Sequence, residues 1–309
     1  MSVDQVPRLA SLDLGSNSFH LLICEWRAGQ LVELIRHKDL VQLARSINQE
    51  GELDKQAIER ALRSLQRCRN LLDQYSLDHF RAVGTQILRQ CKEPDVFIAS
   101  AEEIVGTSID IISGDEEARL VFRGVANGFA VKTSMLVLDI GGASTEIIIG
   151  CAPEITFKTS LTLGCVTLAN ECFQSKSQVS ATSLQRARQQ ALSTFTEIAT
   201  TQQQIIPSIA VGASGTLRVL LDIIEPTRST SSIERRQLET LFQNIASSGR
   251  MNEAIDESLR WDVLPAGIVI LCAFFEAFSL EHIQVSPHSI KEGMMLDWIN
   301  NNQELTPSQ

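Results

Sequence analysis

The chain has 309 residues, with 27 Lys plus Arg against 37 Asp plus Glu and a formal net charge of −10. That balance excludes a protein that grips DNA or another polyanion through a broad basic field, so a phosphate-rich ligand needs a local cluster, oriented amides or a metal. With 44% hydrophobic and 21% charged residues, the composition excludes a wholly disordered chain and suits a folded enzyme of two domains.

Asp4 and Arg8 precede a short apolar stretch that runs straight into Asp13, with no signal-peptide core, so a cytoplasmic location is expected. From Ala10 to Cys24 an apolar run, a turn rich in Gly, Ser and Asn, and a second apolar run predict a β-hairpin. Ile58, Leu62, Leu65, Cys68 and Leu72 recur at three- and four-residue spacing and predict a helix from Asp54 to Tyr75 packed on a sheet. A strand at Phe80–Val83, a helix at Asp95–Val105, a strand at Ile109–Ile112 and a helix at Glu116–Ala126 follow. A second hairpin is predicted at Leu136–Gly150, then a strand at Glu154–Ser160, a helix at Ser183–Gln203 and a strand at Ile209–Val211. Ser231 and Glu234 have capping-box spacing and are expected to open a helix at Glu234–Ala246. The longest apolar run, Val263 to Phe275, has 13 residues and contains Pro265 and Gly267. It is too short to span a bilayer and predicts a buried helix at Ala266–Phe278. Seven cysteines, odd in number and never spaced CxxC, read as small buried hydrophobes, with no disulfide framework or zinc site.

The two hairpins are copies. Ala10–Cys24 aligns without gaps on Leu136–Gly150 at an offset of 126, and Leu12, Asp13, Gly15, Ser18 and Ile23 recur as Leu138, Asp139, Gly141, Ser144 and Ile149. Ala82-Val-Gly-Thr85 with Leu88-Arg89 likewise repeats as Ala210-Val-Gly-Ala213 with Leu217-Arg218. Two α/β domains, 1–126 and 127–309, with a ligand cleft between them are expected, the last helix being a candidate to pack back on the first.

Each hairpin turn is a candidate phosphate nest, since its glycines allow close approach and its successive amides and hydroxyls can face a ligand. Asp13 and Asp139 each end a strand before such a turn, where an Asp either forms the turn itself or serves a ligand. Asp139 and Glu146, seven apart across a hairpin, could hold one Mg²⁺ beside phosphate oxygens. Glu116 in Ile112-Ser-Gly-Asp-Glu-Glu-Ala-Arg119 is either an acidic residue favoured in a first helical turn or a general base for water. Arg89, Arg119, Arg123 and Arg218 are candidate phosphate binders, with Arg89 and Arg218 singled out by their equivalent places in the repeat. His20 occupies the place of Glu146, and both a ligand-facing and a structural role are open. There is no Walker loop, GxGxxG, GxSxG or HExxH.

Asp13-Leu-Gly-Ser-Asn-Ser-Phe-His20, Gly84-Thr-Gln-Ile-Leu-Arg-Gln90, Ser113-Gly-Asp-Glu-Glu-Ala-Arg119, Asp139-Ile-Gly-Gly-Ala-Ser-Thr-Glu146 and Gly212-Ala-Ser-Gly-Thr216 together resemble the exopolyphosphatase and guanosine pentaphosphate phosphohydrolase (Ppx/GppA) family. The resemblance implies two ribonuclease-H-like, actin-like domains of the sugar kinase, heat-shock and actin superfamily. It also implies Mg²⁺-dependent hydrolysis of a terminal phosphoanhydride. On this resemblance Glu116 is the expected base, and Asp139 and Glu146 are the metal-associated carboxylates. Arg89, Gly142, Ser144, Thr145, Asn17 and Ser18 are the expected phosphate binders, with Asp13, Gly15, Gly141, Gly212, Ser214 and Gly215 completing the set. The expected activity is exopolyphosphatase, with pppGpp hydrolysis to ppGpp and a nucleotide-binding regulatory module as alternatives. A homodimer and a short form lacking the helical HD-like domain of longer relatives are also expected. Two departures stand out: Ala143 replaces the usual third glycine of the second turn, and Ser286-Pro287-His288 replaces the usual residues before Lys291-Glu-Gly293.

Overall fold

The computed structural model describes residues 6–48, 50–173, 179–202, 207–249 and 262–302. In chain order the elements are β1 (Arg8–Leu14), β2 (Ser18–Arg27), β3 (Gln30–Leu40), α1 (Lys55–Leu72), β4 (His79–Gly84), α2 (Gln86–Gln90), α3 (Pro94–Val105), β5 (Ile109–Ile111) and α4 (Gly114–Ala126). Then come β6 (Ser134–Ile140), β7 (Thr145–Cys151), β8 (Glu154–Leu161), α5 (Cys165–Cys172), α6 (Ala181–Thr201), β9 (Ile209–Gly212), α7 (Gly215–Ile224), β10 (Ser232–Glu234), α8 (Arg235–Ser248), α9 (Leu264–Ala277), β11 (His282–Val285) and α10 (Ile290–Asn301). The chain divides into one unit of Met1–Asn127 with His288–Gln309 and another of Gly128–Pro287.

The duplication read from the sequence is a duplication of sheets. The first unit has strand order β3-β2-β1-β4-β5, and the second has β10-β11-β9-β6-β7-β8. In the first, β1, β2 and β3 form an antiparallel meander and β4 and β5 run parallel to β1. In the second, β6, β7 and β8 repeat the meander, while β9 and β11 take the parallel places. Each is a ribonuclease-H-like α/β unit.

Local chemistry explains the boundaries. Asp54 caps α1, its carboxylate accepting the Ala57 amide at 2.6 Å, and Ser113 caps α4, accepting from Glu116 at 3.2 Å. Ser180 caps α6, which starts at Ala181, two residues before the predicted start, and the predicted last residue, Gln203, lies outside the described residues. The Ser231–Glu234 box does not form. Glu234 instead ends β10 and is itself the cap of α8, its amide donating to Gln237 Oε1 at 3.2 Å. The run from Val263 is buried helix α9, as its composition predicts, because an all-apolar helix must be covered on every side. No helix among the described residues is long and apolar enough to cross a membrane.

β3 escaped prediction because it is a polar edge strand. Val32, Glu33, Arg36 and Lys38 are exposed and blur the period-two alternation on which strand recognition rests. All seven cysteines are free, and burial pushes the Cys24 and Cys68 thiols up to about 12.

Helix α10 completes the first unit from the far end of the chain. Its Met295, Leu296 and Ile299 are buried with Leu9, Leu22 and Cys24, and Trp298 stacks on His79 with ring centroids 5.2 Å apart. Each such fully buried apolar side chain contributes about 1.5–3 kcal/mol. Two glycines allow α10 to approach α4: a Cβ on Gly124 would lie 2.0 Å from the Ser289 carbonyl oxygen, and one on Gly293 would lie 1.9 Å from that of Leu120. No other residue fits either place without separating the helices.

Candidate active site

The two hairpin turns are built alike. At Gly15 a Cβ would lie 2.9 Å from the Ser18 carbonyl oxygen, and at Gly141 it would lie 3.1 Å from that of Ser144, so each turn is as tight as its glycine permits. The turn carbonyls are held from behind. Ser16 O accepts the Ala44 amide (2.8 Å), and Asn17 O accepts those of Val41 (3.0 Å) and Gln42 (2.9 Å). In the second unit Gly141 O accepts from Cys165 (3.0 Å), and Gly142 O accepts from Val166 (2.8 Å) and Thr167 (3.3 Å), at the start of α5. With the carbonyls fixed on one side, the amides of Ser16, Asn17, Gly142 and Ala143 donate to no acceptor among the described residues. Idle amides in successive turn residues are the ingredients of an anion nest.

Their side chains differ. Asn17 is 5% exposed, its Nδ2 donates to Ser18 Oγ at 3.1 Å, and its Oδ1 has no hydrogen-bond partner among the described residues. Amide and hydroxyl can exchange donor and acceptor roles, so a half-turn of the Asn17 amide presents its N–H₂ to an anion instead. At the matching place Ala143 is fully buried and does not have the positive φ that would strain it, so its methyl group is accommodated. Ser18 and Ser144 are both buried. Thr145 is turned away from this function: its hydroxyl donates to the Leu163 carbonyl, and strand alternation puts it on the face opposite to Glu146.

Asp139 and Glu146 are direct register partners on β6 and β7, which places both carboxylates on one face of the sheet. Glu146 is 2% exposed and accepts the Ser160 hydroxyl from β8 at 2.7 Å. Two carboxylates and no nitrogen or sulfur donor make a set that suits Mg²⁺, which uses one or two carboxylates and keeps waters or phosphate oxygens elsewhere. Among the described residues no cluster of three or more His, Cys, Asp or Glu side chains is placed to hold a metal. Asp13 pairs in register with His20 in the equivalent position of the first unit.

Glu116 and Glu117 have opposite surroundings. Glu116, the base expected from the sequence, is clamped on both oxygens by Arg119, with Nε to Oε2 at 2.7 Å and Nη2 to Oε1 at 2.8 Å. Arg119 also holds Asp297 of α10 through two bonds of 2.9 and 2.7 Å, Arg123 reaches the same carboxylate at 2.7 Å, and Arg81 lies 3.7 Å from Glu116. The hydrogen bonds from Arg119 hold the Glu116 carboxyl below its ordinary range despite partial burial. These are the contacts of an ion-pair network that ties α4 to α10. Arg119 and Arg123, offered by the sequence as phosphate binders, are engaged in the same network.

Glu117 is buried and faces the other way. Its Oε2 accepts Arg89 Nη2 at 2.9 Å, while Arg89 Nη1 donates to the Ile112 carbonyl at 2.6 Å and Nε to Gln86 Oε1 at 3.1 Å. Arg89 thus spans α2, the end of β5 and the first turn of α4. The motif around Gly84–Gln90 and the motif around Ser113–Arg119 meet at Glu117 rather than at Glu116. The sequence signal was the same for both glutamates, since neighbouring residues in one helical turn share charge and dipole.

In the second unit Ser214 is the cap of α7, accepting the Leu217 amide at 3.1 Å. Gly212 ends β9 where a Cβ would meet Leu217 Cδ2 at 2.0 Å, and its carbonyl accepts the Ser286 amide at 2.8 Å. Gly215 opens α7 with open space on its Cβ side. Arg218 Nη1 donates to the Pro287 carbonyl at 3.2 Å, so the Ser286-Pro287 departure is fixed to the end of β9 and to α7.

Residues 22–302 match the Ppx/GppA phosphatase family. The chain belongs to this family. Its relatives include the guanosine-5'-triphosphate,3'-diphosphate pyrophosphatase of Aeromonas hydrophila subsp. hydrophila, 33% identical over 96% of this chain and 60% of that protein. The Photobacterium profundum protein of the same description is 32% identical over 95% of this chain and 60% of its own length. The chain therefore spans about three fifths of these curated relatives. Among solved structures, an exopolyphosphatase from Cytophaga hutchinsonii is 26% identical with a TM-score of 0.84, covering 95% of this chain and 98% of that one. The Aquifex aeolicus Ppx/GppA family member shares the fold, with a TM-score of 0.80 at 22% identity over 96% of this chain and 99% of that one.

Proposed function

We propose that this chain hydrolyses the terminal phosphoanhydride of an oligophosphate and releases inorganic phosphate, with long polyphosphate as substrate. The observation that carries the proposal is the pair of hairpin turns whose amides donate to nothing among the described residues, each beside an Asp at a strand end. In the first unit the amides of Ser16 and Asn17 with the Ser18 hydroxyl, and separately in the second unit those of Gly142 and Ala143 with the Ser144 hydroxyl, bind phosphate oxygens without requiring a basic surface. Asp139 and Glu146 would hold Mg²⁺, which when bound neutralises charge developing on the phosphate oxygens. Glu117, held by Arg89, orients the attacking water and takes its proton. It is preferred to Glu116 because both oxygens of Glu116 are committed to Arg119. Water attacks the terminal phosphorus, the bond to the bridging oxygen breaks, and the shortened chain leaves with that oxygen. Hydrolysis of guanosine pentaphosphate is the second reading, favoured by relatives of about one third identity that carry that activity in their description.

The test is phosphate release from polyphosphate and from guanosine pentaphosphate by Glu117→Gln and Glu116→Gln variants. Glu117→Gln should lose at least ~100-fold in kcat, the usual contribution of a positioned acid or base, and Glu116→Gln should stay within a few-fold of wild type. Wild-type turnover in Glu117→Gln would dismiss the assignment.

A further inference from the structure

The guanidinium that Arg89 brings to Glu117 is itself oriented by a second side chain. Gln86 and Arg89 lie three residues apart on α2, a spacing at which side chains are neighbours on a helix surface. Gln86 Oε1 accepts two bonds from this one guanidinium, from Nε at 3.1 Å and from Nη2 at 2.6 Å. Nη1 donates to the Ile112 carbonyl at 2.6 Å and Nη2 to Glu117 Oε2 at 2.9 Å, so four of the five guanidinium N–H groups are committed. Every one of these groups belongs to the first unit.

The bonds divide the work by edge. A guanidinium is a flat, rigid fork, and acceptors on two of its edges are enough to fix its plane and its rotation. The Ile112 carbonyl holds Nη1 alone and leaves the group free to swing about that bond. The Gln86 oxygen bridges the Nε–Nη2 edge and removes the swing, which sends the second Nη2 N–H to Glu117. The amide of Gln86 can face Arg89 only through its oxygen, because its nitrogen would set donors against donors. Arg119, by contrast, is fixed by two carboxylates, Glu116 and Asp297. Arg89 is fixed by two neutral oxygens, and Glu117 is the one carboxylate bonded to it among the described residues.

We infer that Gln86 is a positioning residue for hydrolysis: it sets the rotation of Arg89, and through Arg89 it holds the Glu117 carboxylate in place for the attacking water. The inference rests on the phosphohydrolase reading and deepens it by naming what steadies the base. Gln86 takes no part in the bond changes themselves.

The test sets wild type beside Gln86→Met, Gln86→Glu, Arg89→Met and the Gln86→Met, Arg89→Met double variant, assayed for phosphate release from polyphosphate and guanosine pentaphosphate. Methionine keeps the length of the side chain and loses the acceptor, so kcat should fall about tenfold with KM within about threefold, as expected for one hydrogen bond to a charged group. In a protein that already lacks Arg89, the same substitution should change kcat by less than about twofold, since Gln86 acts through the guanidinium. A readout independent of turnover is the exchange of the Arg89 Nε proton with water, its nuclear magnetic resonance signal assigned by its loss in Arg89→Met. Exchange should be about tenfold faster in Gln86→Met and within about threefold of wild type in Gln86→Glu, which keeps an acceptor at the same reach. Unchanged kcat in Gln86→Met, or an unchanged exchange rate there, would overturn the inference. A tenfold loss in both backgrounds, or a loss that tracks a lowered Tm, would overturn it as the mark of a merely structural role. If wild type releases no phosphate from either substrate, the phosphohydrolase reading fails by itself, and the exchange rates still decide whether Gln86 holds Arg89.

Discussion

The hairpin at β1 and β2 and the hairpin at β6 and β7 share a backbone and an aspartate, and they differ in what surrounds it. Both turns are tight at one glycine, both have their carbonyls held from behind by a following segment, and both leave two amides without an acceptor among the described residues. What changed after duplication is the side-chain complement: Asn17 against Ala143, His20 against Glu146, Lys38 against Ser160. The free turn amides are common to both copies, and the register partners beside them divide the second hairpin, with two carboxylates, from the first, with one carboxylate and an imidazole. Exchange at two or three positions is enough for such a division, because no strand or turn has to move.

The comparison can be broken most sharply at the second hairpin. Glu146→Ala should lower kcat by at least ~100-fold and weaken activation by added Mg²⁺, because a two-carboxylate set has no spare ligand. An unaltered Mg²⁺ titration would remove the distinction between the two hairpins. The next effect is on the turn itself. Asn17→Ala gives the first turn the side chain of the second, and it should cost about tenfold in kcat/KM, as expected for one hydrogen bond to a charged group. Retained kcat/KM in that variant would leave the amides as the only binding element.

The smallest effect concerns what fastens α10 to α4 in the first unit. The carboxyls of Glu116 and Asp297 lie below their ordinary range. For Glu116 the chief cause is the hydrogen bonding from Arg119; for Asp297, burial opposes the shift and Arg119, Arg123 and Arg81 outweigh it. Groups depressed in the folded state stabilise it above their unfolded pKa near 4, and that contribution is lost as pH falls through the folded values. Stability of wild type should therefore decline below about pH 4, and Glu116→Gln should flatten that decline while lowering Tm at neutral pH by the equivalent of about 1 kcal/mol or less. Thermal melts from pH 3 to 7 provide the check, and identical profiles for the two proteins would show that the network does not fasten α10.

Much of this was legible before any coordinate. The offset of Asp13 to Asp139 exposed the duplicated hairpin, and a stripe of Ile58, Leu65 and Leu72 was enough to place α1, because helical and strand periods are local properties of the chain. The pairing of Asp139 with Glu146 was also readable, since a hairpin fixes its own register. Less accessible were β3, whose edge position leaves it polar, and the true cap of α8, where Glu234 serves both β10 and the helix. The role of Thr145 could not be read from a motif that treats it like Ser144. Only the following strand and the Leu163 carbonyl show where its hydroxyl goes.

The sequence by itself determined the two-copy α/β plan, the phosphate-type turns and the family, because these depend on periodicity, turn chemistry and residue order. Tertiary structure decided which arginine each of Glu116 and Glu117 meets. Adjacent helical residues project about 100° apart, and which of them meets Arg89 depends on how α4 docks. That docking is set by α10, some 170 residues further along the chain, through Asp297 and the close contact at Gly124 and Gly293. The different side-chain company of the two hairpins was likewise decided there, because it depends on β3 and β8, whose side chains join the hairpins only once the sheets have formed.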